Sequence, residues 1–250
     1  MVLLPQAFIG CAGWSISSAH TKSFGAGDSV LARYATRFNA VEINSSFYRP
    51  HQRKTYQRWA AAVPEYFRFS VKAPKTITQI RRLHQAGAEL DRFVHEIGGL
   101  GEKLALVLVQ LPPSLAFDAR TANVFFAMLR RRVACGIACE PRHASWFTAA
   151  ADAIWTRHGV TRVAADPALC AQACNPAGDG TWRYWRWHGA PRIYYSDYPD
   201  SALKKLAADV CIAAAAGATP WIIFDNTALG HATANAIRLQ SLLSHAAGAL

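Results

Sequence analysis

Glu42, Lys72, Gln110, Glu140, Asp166 and His188 each close a short apolar run, and Arg142 and Arg186 stand two residues from Glu140 and His188 respectively. Carboxylates, a lysine, arginines and a histidine gathered in one place suit proton transfer on a small anionic molecule. Lys72 and Arg142 would neutralise a phosphate or carboxylate, the guanidinium through its two-pronged fork. Glu42 and Glu140 are the candidate acid and base, their pKa values set by burial against nearby cations. His188 is a further candidate for proton transfer near neutral pH. The catalytic set is therefore Glu42, Lys72, Glu140 and His188, with Trp14, Asn44, Tyr48, Gln110, Arg142, Asp166, Arg186 and Asn226 as ligand-binding positions. Trp14, Phe47, Tyr48 and Trp146 would supply apolar walls or a stacking surface, or else pack beneath the loops. Replacing Glu140 by Gln is expected to leave folding nearly intact and to remove activity.

The same atoms offer a second chemistry. Glu42, Glu140, Asp166, His188 and Asp225 include enough hard ligands for a divalent metal. No His-x-His or His-Glu-x-x-His cluster accompanies them, and Lys72 and Arg142 compete for the acids, so no residue is assigned as a metal ligand. The cysteines at 11, 135, 139, 170, 174 and 211 include two Cys-x-x-x-Cys pairs. That is not the Cys-x-x-Cys spacing of zinc and redox sites, and they read as reduced small core residues of a cytoplasmic protein. Gly-Cys-Ala-Gly at 10 to 13 lacks the Gly-x-Gly-x-x-Gly spacing and its acidic follow-up, so neither a nicotinamide nor a flavin cofactor is expected.

Positioning these groups falls to eight apolar runs bounded by turn residues, predicted as strands over Phe8–Gly13, Ala40–Asn44, Arg68–Ala73, Leu104–Leu111, Gly136–Glu140, Thr161–Asp166, Trp182–His188 and Trp221–Asn226. Helix-period segments lie between them, over Ser29–Phe38, Lys54–Ala62, Glu89–Gly101, Thr121–Arg132, Phe147–His158, Ser201–Ala216 and Gly230–Ala246. After Asp166 there is only a short helical segment around Ala168–Cys174 and then the loop Asn-Pro-Ala-Gly-Asp-Gly. Strict alternation of this kind over 250 residues predicts one domain, 1–250, folded as a single (β/α)8 TIM-like barrel with parallel strands; an open doubly wound sheet is the alternative.

Within each run one parity is apolar and would face the helices, as Val41 and Ile43, Phe69 and Val71, Ile137 and Cys139, and Val163 and Ala165. The other parity begins small and ends charged or polar at Glu42, Lys72, Gln110, Glu140, Asp166 and, with Arg186, His188. Burying unpartnered charges costs several kcal/mol each, roughly, so these groups must meet one another, water or a ligand. All lie at C-terminal strand ends, where barrel enzymes build their sites.

The motifs also resemble a known family. Gly-Cys-Ala-Gly-Trp at 10 to 14, Val-Glu-Ile-Asn-Ser-Ser-Phe-Tyr at 41 to 48, Phe-Arg-Phe-Ser-Val-Lys-Ala-Pro at 67 to 74 and Gln-Leu-Pro-Pro at 110 to 113 look like those of the YecE-like family, domain of unknown function 72. Glu-Pro-Arg-His-Ala-Ser-Trp at 140 to 146, Arg-Trp-His-Gly at 186 to 189 and Phe-Asp-Asn-Thr-Ala-Leu-Gly-His-Ala at 224 to 232 complete the match. The resemblance implies a TIM barrel and carries no assigned activity. Its motif residues fall on Glu42, Asn44, Lys72, Gln110, Glu140, Arg142, His188 and Asn226. Gln79 stands where the family more often has His, Pro141 where an aromatic residue is usual, and Asp225 where Asn is common; a base at position 79 is thereby missing.

The formal charge of +11, from 27 Lys and Arg against 16 acids, favours anionic partners. It also fits solvated helix faces such as Arg130-Arg131-Arg132. Trp-Arg-Tyr-Trp-Arg-Trp at 182 to 187 reads either as a strand with two different faces or as a base-stacking platform. The first ten residues lack a basic leader region, and no apolar run approaches membrane-spanning length. The expected protein is a cytoplasmic barrel enzyme of hydrolase, lyase or isomerase type acting on a small anion, with no membrane partner. A nucleic-acid-binding or nucleic-acid-processing barrel is the alternative.

Overall fold

The computed structural model describes residues 7–178 and 181–248. Its elements run β1 (Phe8–Cys11), α1 (Val30–Ala35), β2 (Ala40–Ile43), α2 (Arg53–Ala61), β3 (Arg68–Lys72), α3 (Gly87–Ile97), β4 (Leu104–Gln110) and α4 (Ala119–Arg130). They continue as β5 (Gly136–Glu140), α5 (Ala149–His158), β6 (Val160–Arg162), β7 (Ala164–Asp166), β8 (Ala177–Gly178), β9 (Trp182–Trp187), α6 (Asp200–Ala215), β10 (Thr219–Phe224) and α7 (His231–Gly248). Local chemistry sets several boundaries. Asp118 and Thr148 cap the free N–H groups of Thr121 and Ala151 at the starts of α4 and α5, and Gly159 ends α5 in the left-handed conformation (φ 59, ψ 46). The helix expected over Glu89–Gly101 stops at Ile97, because the glycine-rich Gly98–Lys103 stretch tightens into a 3-10 turn with Gly101 at φ 57.

The fold is mixed α/β with parallel sheets. One sheet has the order β2-β3-β4-β5-β6, all parallel, with the short β8 antiparallel on β6; the other is β1-β10-β9-β7, all parallel. β6 and β7 are consecutive, with Val163 alone between them and its N–H donating to the Cys139 carbonyl at 2.8 Å. At the other junction, β1 and β2 share a single bridge, Ala12 with Glu42, and the Gly13 N–H donates to the Glu42 carbonyl at 2.9 Å.

Side chains do there what a ladder would otherwise do. The Ile9 N–H donates to Asn39 Oδ1 (2.9 Å), Asn39 Nδ2 donates to the Ala7 carbonyl (2.8 Å), and the Tyr34 hydroxyl accepts from the Cys11 N–H (2.8 Å) while donating to the Ala40 carbonyl (3.1 Å). Gly10 permits this close approach, since a Cβ at that position would collide with the Ala40 carbonyl. Tyr34→Phe would strand a buried donor and a buried acceptor at once. A loss of about 1–3 kcal/mol is expected in urea unfolding.

The apolar residues divide into two cores. Val41, Ile43, Phe69, Val71, Ile137, Cys139, Ile222 and Phe224 pack against Leu31, Leu90, Phe93, Phe125, Trp155, Leu203 and Leu239 of the helices. On the other sheet face, Ala40, Leu106, Leu108, Ala138, Val163, Tyr184, Trp221 and Ile223 form a separate plug, with Phe8 and Trp182 against it. The aromatic strand β9 thus has two packed faces rather than a base-stacking surface: Trp182 and Tyr184 join the plug, and Trp187 lies against Tyr198 and Phe224.

Two expectations are corrected here. The sixth strand is not continuous over Thr161–Asp166, and its parity is the reverse of that expected. Arg162 pairs with Cys139 and Asp166 with Trp187, both helix-facing positions, whereas Val163 joins the plug and Ala165 pairs with inward Arg186. Neighbouring alanines carried too little hydropathy contrast to set the phase. The segment Ala168–Cys174 is only a 3-10 turn over Ala171–Cys174, and Ala177–Gly178 of the following loop forms β8; residues 179 and 180 of that loop lie outside the described residues, as do the first six of the N-terminal reading.

Candidate functional site

Polar residues sit directly above the apolar plug, at the C-terminal ends of the parallel strands. Glu42 on β2, Ser70 and Lys72 on β3, Gln110 on β4, Glu140 on β5 and Tyr184 and Arg186 on β9 are all buried, as are His188 and Asp225 just beyond β9 and β10. The alternation of the strands puts them on one face, and register puts Gln110 beside Glu140 and Glu42 beside Ser70.

Arg186 is the centre. Its guanidinium donates to Glu42 through Nε (3.0 and 3.1 Å) and Nη2 (2.8 Å), to Glu140 Oε2 through Nη1 (3.2 Å), and lies 3.0 Å from Asp225 Oδ2 through Nη2. His188 bridges two of these acids, with Nδ1 2.9 Å from Asp225 Oδ2 and Nε2 3.0 Å from Glu140 Oε1. Glu140 also accepts from Arg142 Nε (2.9 Å) and from Gln110 Nε2 at 3.1 Å to both oxygens. Tyr184 donates its hydroxyl to Glu42 Oε2 at 2.7 Å, with Ser70 Oγ 3.2 Å behind it.

The electrostatics follow from that geometry. Burial opposes ionisation of Glu140, but His188, Arg186 and Arg142 together hold its carboxyl well below the usual range. Burial likewise opposes ionisation of Asp225, and Arg186 with the His188 hydrogen bond pulls its pKa below the ordinary value. For His188, burial and Arg186 disfavour the imidazolium, yet Glu140 and the bond to Asp225 outweigh them and raise its pKa. An imidazole facing a carboxylate at each nitrogen is best satisfied when both nitrogens carry protons. Lys72 goes the other way: burial first, then Arg186, bring it down to about 8 against the partial opposition of Glu42, Glu140 and Asp225.

Capacity for further bonds is distributed unevenly. Each carboxylate already takes donors from several sides, so Glu42 and Glu140 are holders of Arg186 and His188, and the expected acid/base pairing of these two glutamates has no open lone pair to work with. Lys72 is 5% exposed, and its ammonium makes no hydrogen bond or ion pair with a described residue; its Nζ lies 4.1 Å from the centre of the Phe47 ring. The Arg142 side chain is 27% exposed, and its Nε is bonded to Glu140, with Nη2 3.4 Å from the protonated His188 Nε2 and free to turn outward. Gln79, half-buried on the π-helical turn Thr76–Ile80, reaches the Gln110 carbonyl only at 3.5 Å.

This packing also alters what Glu140→Gln should do. A glutamine amide would turn its own hydrogens toward groups that are already donors, so the variant is expected to lose about 1–3 kcal/mol in urea unfolding rather than to fold unchanged.

Of the residues singled out in the sequence, Glu42, Lys72, Gln110, Glu140, Arg142, Arg186 and His188 are brought together. Asn44 follows β2 next to the Lys72 register position, with its Oδ1 buried and unbonded. Asp166 is not in the network: its Oδ1 accepts from the Tyr198 hydroxyl at 2.7 Å on the helix-facing side. Asn226 is fully buried and ties loops together, donating to the Ser196 carbonyl (2.9 Å) and to Asn235 Oδ1 (2.8 Å). Trp14 packs edge-on against Trp59, and Tyr48 is 66% exposed beside a separate cleft of about 290 Å³ lined by Phe47, Arg49, Lys75 and Phe93. Tyr184 and Ser70 were missed because a tyrosine and a serine in strands carry no charge signal. Asp225 is marked in the sequence only as a metal ligand and as a departure from the family's Asn, although strand parity with Ile223 places it inward.

The donor set does not fit the metal alternative. Arg186 occupies the position between Glu42, Glu140 and Asp225 that a cation would take, Asp166 points elsewhere, and among the described residues no group of three or more His, Cys, Asp or Glu is arranged to hold an ion.

Comparison with known proteins gives a consistent result. A family profile described as "Protein of unknown function DUF72" matches residues 8–250. The UPF0759 protein YunF of Bacillus subtilis is 29% identical over 158 residues, covering 56% of this chain and 52% of that protein. The UPF0759 protein YecE of Escherichia coli K12 is 30% identical over 105 residues, covering 42% of this chain and 37% of that protein, so the matched stretches span about half or less of these relatives. Crystal structures of two DUF72 family proteins superpose with a TM-score of 0.79: one from Enterococcus faecalis, 21% identical with 96% of each chain covered, and one from Thermotoga maritima, 22% identical with 95% and 99% covered.

Proposed function

The chain belongs to the DUF72 family of proteins of unknown function, and from that premise and its site we propose an enzyme that binds a small phosphorylated or carboxylated molecule at the C-terminal strand ends. In this reading the two parallel sheets act as one (β/α)8 barrel, joined at Val163 and at the Ala12–Glu42 bridge, and the buried network is the floor of its mouth. The reaction is of hydrolase, lyase or isomerase type. The free cysteines, Cys11 and Cys139 buried among them, support a reducing, cytoplasmic setting. Among the described residues no helix is long and apolar enough to cross a membrane.

One observation carries the proposal: among the charged groups at the strand ends, the bonding capacity left over belongs to cations, with the unbonded Asn44 Oδ1 as a neutral acceptor beside them. Glu42, Glu140 and Asp225 are matched by Arg186, Arg142 and Lys72, and a protonated His188 adds one further positive charge. An anion is the complement. Lys72 ends β3 and Arg142 follows β5, two strand spacings away, roughly 10 Å, a gap that two long side chains close around a small ligand. Lys72, titrating near neutral pH, is the group able to take and return a proton, which moves the acid/base role from the paired glutamates to the lysine.

A thermal-shift screen over phosphorylated sugars, nucleotides, organic acids and divalent metals tests this. Anionic members should raise Tm, and Arg142→Ala should weaken the best of them by about tenfold or more, as loss of a charge-assisted bond would. A response confined to metals would contradict the proposal. So would salt-sensitive binding of oligonucleotides with no small-molecule response, which is the outcome expected of a nucleic-acid-binding barrel.

A further inference from the structure

We propose that the ε-amine of Lys72 is a covalent nucleophile and that the ligand class is a small anion bearing an aldehyde or ketone carbonyl, with which it forms an imine. The inference rests on the anion-site reading above and goes beyond it in naming the reacting atom and the functional group it attacks.

A lysine is activated as a nucleophile by desolvation or by a neighbouring cation, because either favours the free amine over the ammonium. Lys72 has each. Its side chain is almost wholly buried, over the face of Phe47, and the charges around it come from Glu42 on β2, Glu140 on β5, Arg186 on β9 and Asp225 after β10. The three acids are bonded to Arg186, His188, Arg142, Gln110 or Tyr184, and none pairs with Lys72. A lysine retained to stabilise the fold would be expected to hold one of these carboxylates; this one holds none, which leaves its nitrogen available. With the pKa near 8, about a tenth of the side chain is neutral at pH 7, roughly three hundredfold more than for a solvated lysine.

The step balances without redox chemistry. The Nζ lone pair bonds to the carbonyl carbon, the C=O π pair moves to oxygen, and the carbinolamine then loses that oxygen as water together with the two hydrogens of the amine. The product is a C=N bond whose protonated form draws electrons from the adjacent carbon. Arg142 would hold the anionic group of the same molecule.

The full chain treated with glyoxylate and sodium cyanoborohydride at pH 7 provides the test, with glycolate as the carbonyl-free analogue. The expected result is a carboxymethyl group fixed on Lys72, located by peptide mass mapping. It should form at least about tenfold faster than on exposed Lys22, Lys54 or Lys204, and glycolate should slow it. Label spread over the exposed lysines with Lys72 unmodified overturns the proposal. In that event a glycolate-induced rise in Tm shows that the anion site stands without covalent chemistry, and its absence shows that both readings fail.

Discussion

Arg186→Met is expected to lower stability by about 3–5 kcal/mol at pH 7, the range for removing one partner from a buried ion cluster. Arg186 is wholly buried, and among the described residues its guanidinium alone touches Glu42, Glu140 and Asp225 together. Methionine fills similar volume but leaves three carboxylates facing one another beneath the strand ends, with His188 and Arg142 reaching only part of the set. The pH dependence identifies the cause. Glu140 and Asp225 have depressed pKa values in the folded protein, so the stability they contribute is fully present above the unfolded carboxylate range and is lost as pH falls through their folded values. In the variant the share of that contribution supplied by Arg186 is gone, leaving His188 and Arg142 on Glu140 and His188 on Asp225. Urea unfolding curves of the two proteins should therefore differ most near pH 7 and converge in acid; a constant gap at every pH would point to lost packing alone.

Lys72→Met should have the opposite sign. A lysine whose folded pKa is about 8 against 10.5 is held in its charged form at a cost of about 3 kcal/mol. For a depressed lysine the unfolded chain binds the proton more tightly, so wild-type stability rises with pH between about 8 and 10.5 and the full penalty applies below that window. The methionine variant should thus be more stable by up to about 3 kcal/mol at pH 7, with the gain fading by pH 10.5. Its ligand response should be lost. Stability sacrificed for a charge with no structural partner is what a working site exhibits, and a variant no more stable than wild type would mean that Lys72 is compensated in a way the geometry does not provide.

Much of this arrangement was legible in the chain because parallel strands buried on both faces still keep a two-residue period. Val41 and Ile43 against Ala40 and Glu42, or Ile137 and Cys139 against Ala138 and Glu140, set the phase of their strands without ambiguity. Where the contrast fades, the phase is lost: Val163, Ala164 and Ala165 differ too little in hydropathy to show which of them faces the helices, and Asp166 faces away from the site that its place at the strand end suggests. Partner choice was not legible at all. Glu42 and Glu140 carry the composition of an acid/base pair, and only the long-range contacts with Arg186, 144 and 46 residues away, show that their lone pairs are taken. Nor could local pattern show Tyr34 and Asn39 standing in for a backbone ladder between β1 and β2, since each is an ordinary residue for its position in the sequence.

If the unpartnered, partly neutral Lys72 amine receives an anion as proposed, titration of its side chain followed by NMR, with and without inorganic phosphate, measures this most directly. Midpoints near 8 in the free protein, shifted upward by phosphate while exposed Lys22 and Lys54 stay unchanged, are predicted. A Lys72 that titrates at its ordinary value near 10.5 and ignores phosphate would contradict the proposal.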